Sequence, residues 1–326
     1  MRTFLIGPND AGQRLDRFIG KSMPDLPFSL VQKGIREKNI KLDGKRAKAG
    51  EILAVGQSVS VFLRDSKTAT GTTHPWRGVS PDSLEIVYED ANILLANKEP
   101  GLSAHPDRHS ASDTLITRVQ AYLYAGGQWD PAKENSFTPA LAHRLDRNTG
   151  GLILAAKTAE ALRVLNEKFR SREIEKHYLC LVHGRPNPLS GTLRHFLLRN
   201  METCRVEVRP DRQDGAKTAL MAYRVLATRD CVSLVECRPL TGRTHQIRAQ
   251  WAAAGHPLLG DGKYGAGSRD KALGYHHQAL FAFRLTFAFK SPSGCLGYLG
   301  GRTFELENAP FAEGFTGARS RGSGDD

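Results

Sequence analysis

The stretch LAHRLDRNTGGLILAAK, residues 141–157, sets one carboxylate, Asp146, between two arginines, Arg144 and Arg147, and just ahead of a glycine pair. An aspartate so near an apolar run either pairs with a cation for structure or stands ready to react as a nucleophile. Taken singly, it serves equally well as half of a buried ion pair or as a loop cap. The same holds for three other residues. Tyr178 in KHYLCLVHG can be a half-buried strand aromatic, Arg248 in TGRTHQIRAQW a surface charge, and His245 a satisfied helix histidine.

The elements around these residues narrow the choice. GGLILAAK is a short apolar run of the length expected for a buried strand. TAEALRVLNEKF follows as a helix capped by Thr158, with Leu162, Leu165 and Phe169 on one face. Asp146 therefore lies in a loop entering a core strand, where Gly150 and Gly151 let the backbone or a ligand approach closely. KHYLCLVHG alternates, which puts Tyr178, Cys180 and Val182 on one side of a strand. In TGRTHQIRAQWAAAGHPLLGDGKYG a tight turn leads to a helix that Thr244 is expected to cap. Ile247, Trp251 and Ala254 face inward there, with Arg248 beside them. SLEIVYEDANILLANKEPG reads as two strands around a turn at Glu89–Asn92.

Composition limits the class. The 326 residues allow two domains, and 40% hydrophobic with 25% charged residues is the balance of a soluble globular chain. The 46 basic against 34 acidic residues give a net charge of +12, which favours a polyanionic partner. There is no 18-residue apolar run and no signal pattern at the start, so a cytoplasmic protein without membrane contact is the expectation. Five scattered cysteines form no C-x-x-C pair, which speaks against a disulfide framework or a zinc site.

Residues 12–63 read as a self-contained unit. Leu15, Phe18 and Ile19 fall at helical spacing. Ser29 is a candidate helix cap, with Leu30 and Ile35 on the apolar face behind it, and Asp43-Gly44 marks a turn between two short strands. GQSVSVFL closes the unit as an alternating strand. Seven basic residues between Ser29 and Lys48 (Lys33, Arg36, Lys38, Lys41, Lys45, Arg46 and Lys48) face only Glu37 and Asp43. Such a run is often only a solvated face, but covering one helix and the hairpin after it suits contact with phosphates. SKTATGTTHPWRGVSPD, residues 66–82, is rich in Ser, Thr, Gly and Pro and reads as a linker.

Two resemblances add to this reading. RLDRFI, LVQKGIREKNIKLDGK and GQSVSVF resemble the small RNA-binding module named after small-subunit ribosomal protein S-four. LAHRLDRNTGGLILAAK, KHYLCLVHG and TGRTHQIRAQWAAAGHPLLGDGKYG closely resemble the three diagnostic motifs of the RluA family of pseudouridine synthases. IVYEDANILLANKEPGLSAHP is similar to that family's entry strands. The second resemblance spans about residues 84–290. It implies breakage of the N-glycosidic bond of a uridine, rotation of the uracil and reattachment through a ring carbon. No redox or phosphoryl step is involved, so no cofactor or metal is expected, in keeping with the lack of a P-loop or dinucleotide fingerprint. The resemblance makes Asp146 the nucleophile, Arg248 its cation, and Tyr178 the residue that stacks on the uracil and guides or removes the ring proton. Ile247 packs on the other side of the base, and Arg144 fills the space left when the uridine is flipped from its helix. Arg243 and His245 are expected at the RNA, together with Lys33, Arg36, Lys41, Lys45 and Lys48 of the first module. The chain departs from the family at Asn148-Thr149-Gly150-Gly151, where Asp-Thr-Ser-Gly is usual, and at Met221, where threonine is common.

The expected fold is α+β. A small α/β RNA-binding domain occupies residues 1–65, a linker 66–83, and a catalytic domain on a mixed, largely antiparallel sheet 84–312, before a disordered tail at 313–326. The expected function is isomerisation of specific uridines in structured RNA, with large-subunit ribosomal RNA the favoured target and a monomer the favoured state. The rivals are a transfer-RNA pseudouridine synthase, a hydrolytic base-removing enzyme and a non-catalytic RNA-binding assembly factor.

Overall fold

The computed structural model describes residues 1–62, 74–107, 110, 112–200, 202–212, 215–265, 267–307, 309–312 and 315. The N-terminal unit comprises β1 (Arg2–Leu5), α1 (Leu15–Ser22), α2 (Phe28–Arg36), β2 (Ile40–Leu42), β3 (Lys45–Arg46) and β4 (Ser58–Val61). Its antiparallel sheet runs β1-β4-β2-β3. Leu15, Phe18 and Ile19 are fully buried against Val31, Ile35, Ile40 and Val59, so the helical period of α1 does face the core. Asp43 and Gly44, both at positive φ, close the β2–β3 hairpin with Lys41 opposite Arg46.

Two local expectations fail. Ser29 caps nothing, because α2 begins one residue before it, behind Pro27, whose ring presets the turn into the helix. Leu30 points outward, while Val31, Gly34 and Ile35 form the buried stripe.

The second unit comprises β5 (Ile86–Glu89), β6 (Ile93–Lys98), α3 (Leu115–Ala125), β7 (Ala140–Leu141), β8 (Gly150–Ala156), α4 (Ala159–Ser171), β9 (Ile174–His183), β10 (Ser190–Asn200), β11 (Arg205–Arg209), β12 (Lys217–Arg229), β13 (Val232–Pro239), α5 (Gln246–Ala253), α6 (Gly267–Ala272), β14 (Leu280–Phe287) and β15 (Thr303–Glu305). The strands form one sheet in the order β11-β10-β12-β13-β9-β14-β8-β6-β5, with β15 beside β14 and β7 beside β8. Among the described residues only β8 and β14 pair in parallel, so the sheet is mixed and largely antiparallel. Both faces of its centre are covered. Ile153 and Ala155 of β8 join α3 and Trp251 on one side, while Leu152 and Leu154 meet α4 and Phe287 on the other. Burial on two faces is why GGLILAA is continuously apolar rather than alternating.

The end of the expected linker is part of this packing. Residues 75–78 form a 3₁₀ turn, and Trp76 is buried beside Tyr124 and Trp129, with ring centroids 4.5 and 5.6 Å away. One indole buries enough apolar area to anchor a segment that shows no periodicity. Residues 66–73 of that linker lie outside the described residues, as does the expected tail at 313–326 apart from Phe315, which packs beside Ala312.

The two units touch through a polar seam. The buried Asp10 accepts from Asn135 Nδ2 at 2.7 Å, Ser136 Oγ at 2.6 Å and the Gly7 N–H at 3.2 Å. Asn9 Oδ1 accepts the Ala159 N–H at 3.0 Å, adding a second cap to α4 beside Thr158, and Arg163 donates to the Ala11 carbonyl. Truncating Asp10 removes the acceptor of three partly buried donors, which typically costs about 1–3 kcal/mol. Asp10→Ala is expected to destabilise the protein by that amount in urea titration and to raise amide exchange at residues 5–13 and 134–137. Unchanged exchange there shows that the seam does not hold the units together.

Candidate active site

Asp146 sits in the loop between β7 and β8, and backbone bonds shape that loop. The Thr149 N–H donates to the Asp146 carbonyl at 3.0 Å. The fully buried Lys98, at the end of β6, donates to the carbonyls of Glu99, Leu102 and Arg147 at 3.0, 2.8 and 2.8 Å. Arg147 returns a bond to the Gly101 carbonyl and accepts the Gly101 N–H. Lys98 thus ties the loop to the end of β6. Burial pulls its ammonium down to about 8, against the opposing charges of Asp146 and Glu99.

The glycine pair explains one departure from the family pattern. A Cβ on Gly150 meets the Phe281 ring at 2.9 Å and Pro100 at 3.1 Å, so the usual serine clashes with this packing. Gly151, at φ +106°, leaves no room at all, since a Cβ there lies 2.2 Å from the Ala282 carbonyl oxygen. Met221, the other departure, is fully buried in the core that also holds Tyr178 and Trp251.

Helix α5 brings the cation. Thr244 is not its cap. The turn instead places His245 at the N-terminus in the left-handed region, and Gln246 closes the turn by accepting from Thr241 Oγ1 at 2.8 Å and the Arg243 N–H at 3.0 Å. One helical turn then aims Arg248 at two carboxylates. Its Nη1 donates to Asp146 Oδ2 at 3.1 Å, while Nε and Nη2 fork onto Asp261 at 2.7 and 2.8 Å. Asp261 is fully buried, and it also accepts the N–H groups of Lys263 and Tyr264. Burial pushes Asp261 up, but the Arg248 fork and the two N–H bonds outweigh it and hold the carboxyl below its ordinary value. The guanidinium lies over the Tyr264 ring, 5.3 Å from its centroid.

His245 reaches the same carboxylate. Its Nε2 is 3.9 Å from Asp146 Oδ2, and its Nδ1 is 2.8 Å from the Tyr264 hydroxyl, which accepts the Val206 N–H. With that hydroxyl donating to Nδ1, the imidazole turns an Nε2–H toward Asp146. Burial lowers the His245 pKa against the attraction of Asp146, which keeps the ring neutral at pH 7. Tyr178, on β9, is buried, and burial together with the Asp146 charge raises its phenol well above the ordinary value.

These groups converge on a cavity of about 440 Å³. Asp146, Tyr178, Arg248, Arg144, Ile247, Arg243 and His245 all line it. Arg144 is exposed, with no acidic partner among the described residues, whereas Arg243 is tied to the Thr218 carbonyl at 3.0 Å. The basic residues of the first module do not line this cavity. Lys33, Arg36, Lys45 and Lys48 are exposed on the N-terminal unit, and Lys41 is half-buried with its ammonium over the Phe62 ring. Sequence reasoning missed Asp261, Tyr264 and Lys98. The first two lie within the TGRTHQIR…GDGKYG stretch, where an acid flanked by two glycines was a usable signal.

Residues 92–253 match the family described as RNA pseudouridylate synthase. Ribosomal large subunit pseudouridine synthase C of Vibrio vulnificus (strain CMCP6) is 30% identical over 289 residues, covering 87% of this chain and 86% of that protein. The chain belongs to the RluA family of pseudouridine synthases. The Escherichia coli (strain K12) protein of the same description is 31% identical over 314 residues, 95% of this chain and 92% of its own. Among solved structures, human RNA pseudouridylate synthase domain containing 1 superposes with TM-score 0.52 at 25% identity, over 76% of this synthase and 98% of that chain. Human RNA pseudouridylate synthase domain containing 4 gives 0.53 at 22% identity, over 68% and 88%, a likeness of fold. The synthase is therefore an RNA isomerase. Among the described residues no helix is long and apolar enough to cross a membrane.

Proposed function

We propose that this synthase isomerises specific uridines of large-subunit ribosomal RNA, with Asp146 as nucleophile, working as a cytoplasmic monomer. The observation that carries the chemical part is the bracket in which Arg248 spans Asp146 and the buried Asp261. Asp261 fixes the guanidinium, and the guanidinium holds Asp146 Oδ2 at 3.1 Å while the carboxylate stays partly exposed to the cavity. A nucleophile in covalent glycosidic chemistry needs this combination of charge, fixed position and access. Tyr178 enters as a neutral phenol, because its raised pKa leaves almost no phenolate at neutral pH. It guides the uracil rather than acting as a phenolate base, with Ile247 against the other side of the ring. Arg144, unpaired at the rim, takes the space of the flipped base.

The ribosomal assignment is supported by the descriptions of the relatives and by the basic N-terminal unit, read as an RNA-binding module of the S-four type, which suits a large RNA better than a transfer RNA. Its test is pseudouridine mapping across total RNA from cells carrying the wild-type gene, the Asp146→Asn gene or none. A site in large-subunit RNA lost in the last two supports the assignment. Loss only in transfer RNA replaces it, and free uracil released by the purified protein points to hydrolysis.

The role of the module yields a separate prediction. Replacing Lys41, Lys45 and Lys48 together by alanine should flatten the dependence of log affinity on log salt by roughly 0.7–0.9 per lost phosphate contact. Single-turnover rates at saturating RNA should stay near wild type. Equal salt slopes with a slower chemical step show that the module shapes the active site instead of tethering the RNA.

A further inference from the structure

A second cavity, of about 490 Å³, adjoins the first and shares with it His143, Lys176, Pro239, Thr241, Gly242 and Arg243. We propose that this basic cavity, lined by His143, Arg170, Arg172, Lys176, Arg238 and Arg243, binds a backbone phosphate of the RNA strand a few nucleotides from the flipped uridine. The proposal rests on the pseudouridine synthase reading and deepens it by naming where the strand goes.

Charge is the first reason. Five cationic side chains line the cavity against one acid, Glu175, and that acid is spent on Arg238 at 3.0 Å. Among the described residues, neither Arg170 nor Arg172 has an acidic partner. Guanidinium groups gathered without counter-ions repel one another unless an anion joins them, and phosphate oxygens match their forked donors.

Unmet hydrogen-bonding capacity is the second. The His143 Nε2 accepts the Leu154 N–H at 3.2 Å, so the neutral ring carries its proton on Nδ1. That Nδ1 is buried and has no hydrogen-bond partner among the described residues, although it belongs to a residue lining both cavities. A buried donor calls for an acceptor, which an ordered water or a phosphate oxygen can supply. Lys176 stands on the cleft side of β9, two residues before Tyr178, and among the described residues makes no ion pair, while its ammonium lies 5.6 Å from the Phe169 ring centroid. Burial alone pulls its ammonium down to about 8, with no carboxylate to oppose it.

Backbone geometry is the third. Arg172 ends α4 in the left-handed conformation, φ 62° and ψ 34°, where glycine is the residue that fits without strain. From this position the exposed Arg172 lines the second cavity. The shared wall gives the route, since a strand whose uridine lies over Asp146 can leave past Lys176 and Arg243 into the second cavity.

The test is a cycle between protein and RNA. A short hairpin substrate is made with one neutral methylphosphonate linkage at a time through the four positions on either side of the target uridine. Affinity is measured with the wild-type synthase and with the double variant Arg170→Gln, Arg172→Gly, while a separate assay counts pseudouridine formed by the wild type on the unmodified hairpin. The double variant should flatten the salt slope by about 0.7 per lost contact. One linkage should weaken wild-type binding but cause no further loss in the variant. Lys176→Met should show the same loss of sensitivity at that linkage. Losses that simply add at every linkage overturn the proposal, as does inorganic phosphate binding that the variant abolishes while the RNA salt slope is unchanged. Absence of pseudouridine from the wild-type reaction is a different failure, that of the synthase reading itself.

Discussion

Asp146→Asn is expected to abolish isomerisation, with a loss of at least about 10³-fold in single-turnover rate, the scale seen when an enzyme loses its nucleophile. The amide keeps the shape of the side chain and removes the attacking charge. The fold should survive, for a reason the structure supplies. Arg248 retains both of its bonds to Asp261, so neutralising Asp146 does not leave a buried guanidinium alone. Stability should stay within about 1 kcal/mol of wild type, and RNA affinity should be close to unchanged. The check is pseudouridine formation by the purified variant at saturating RNA, beside its urea transition. A rate within tenfold of wild type removes Asp146 from the chemistry.

Arg248→Ala should do damage of another kind, because one deletion strips the cation from two carboxylates. Breaking a buried pair by removing one partner costs about 3–5 kcal/mol. Asp261, fully buried, bears most of it, and Asp146 loses the donor that holds it in the cavity. The response to pH should change sign. In the wild type the Asp261 carboxyl is held below its ordinary value near 4. The unfolded chain therefore binds the proton more readily, and this contribution to stability is present above that value and lost as pH falls through the folded pKa. Without Arg248, burial raises the folded pKa instead. The folded variant then holds the extra proton, so its stability relative to wild type should fall as pH rises from about 4 toward neutrality. Urea transitions of both proteins between pH 4 and 7 read this difference. A variant whose deficit relative to wild type shrinks over that range, or which keeps full activity at pH 7, shows that another group neutralises these carboxylates. Arg243 is poorly placed for that, being bound to the Thr218 carbonyl. Arg248→Lys restores one charge but not the fork, and should recover part of the stability with little of the rate.

What the sequence determined by itself is what neighbouring residues impose on one another. The spacing of Leu15, Phe18 and Ile19 makes a buried helix face, and GGLILAA can only be a strand covered on both sides. The alternation in KHYLCLVHG places Tyr178, Cys180 and Val182 together in one core. Asp146, Tyr178 and Arg248 stood out because each lies in a contiguous string that resembles a motif of the family. Tertiary structure alone decided how those strings meet. The Asp146–Arg248 contact joins residues 102 positions apart, and no local period encodes that distance. Asp261 lies only 13 positions beyond Arg248, yet it becomes the anchor because α5 and the loop after it fold back on each other. Lys98 reaches the reactive loop 49 residues ahead because β6 pairs with β8, and its three carbonyl bonds are invisible in the string ANKEPG. Trp76 was hidden for the opposite reason, since a single large side chain in an aperiodic segment leaves no pattern to read. Local interactions set periods, turns and caps within a few residues. Pairing of distant charges follows from sheet register and helix placement, and these are settled only when the whole core closes.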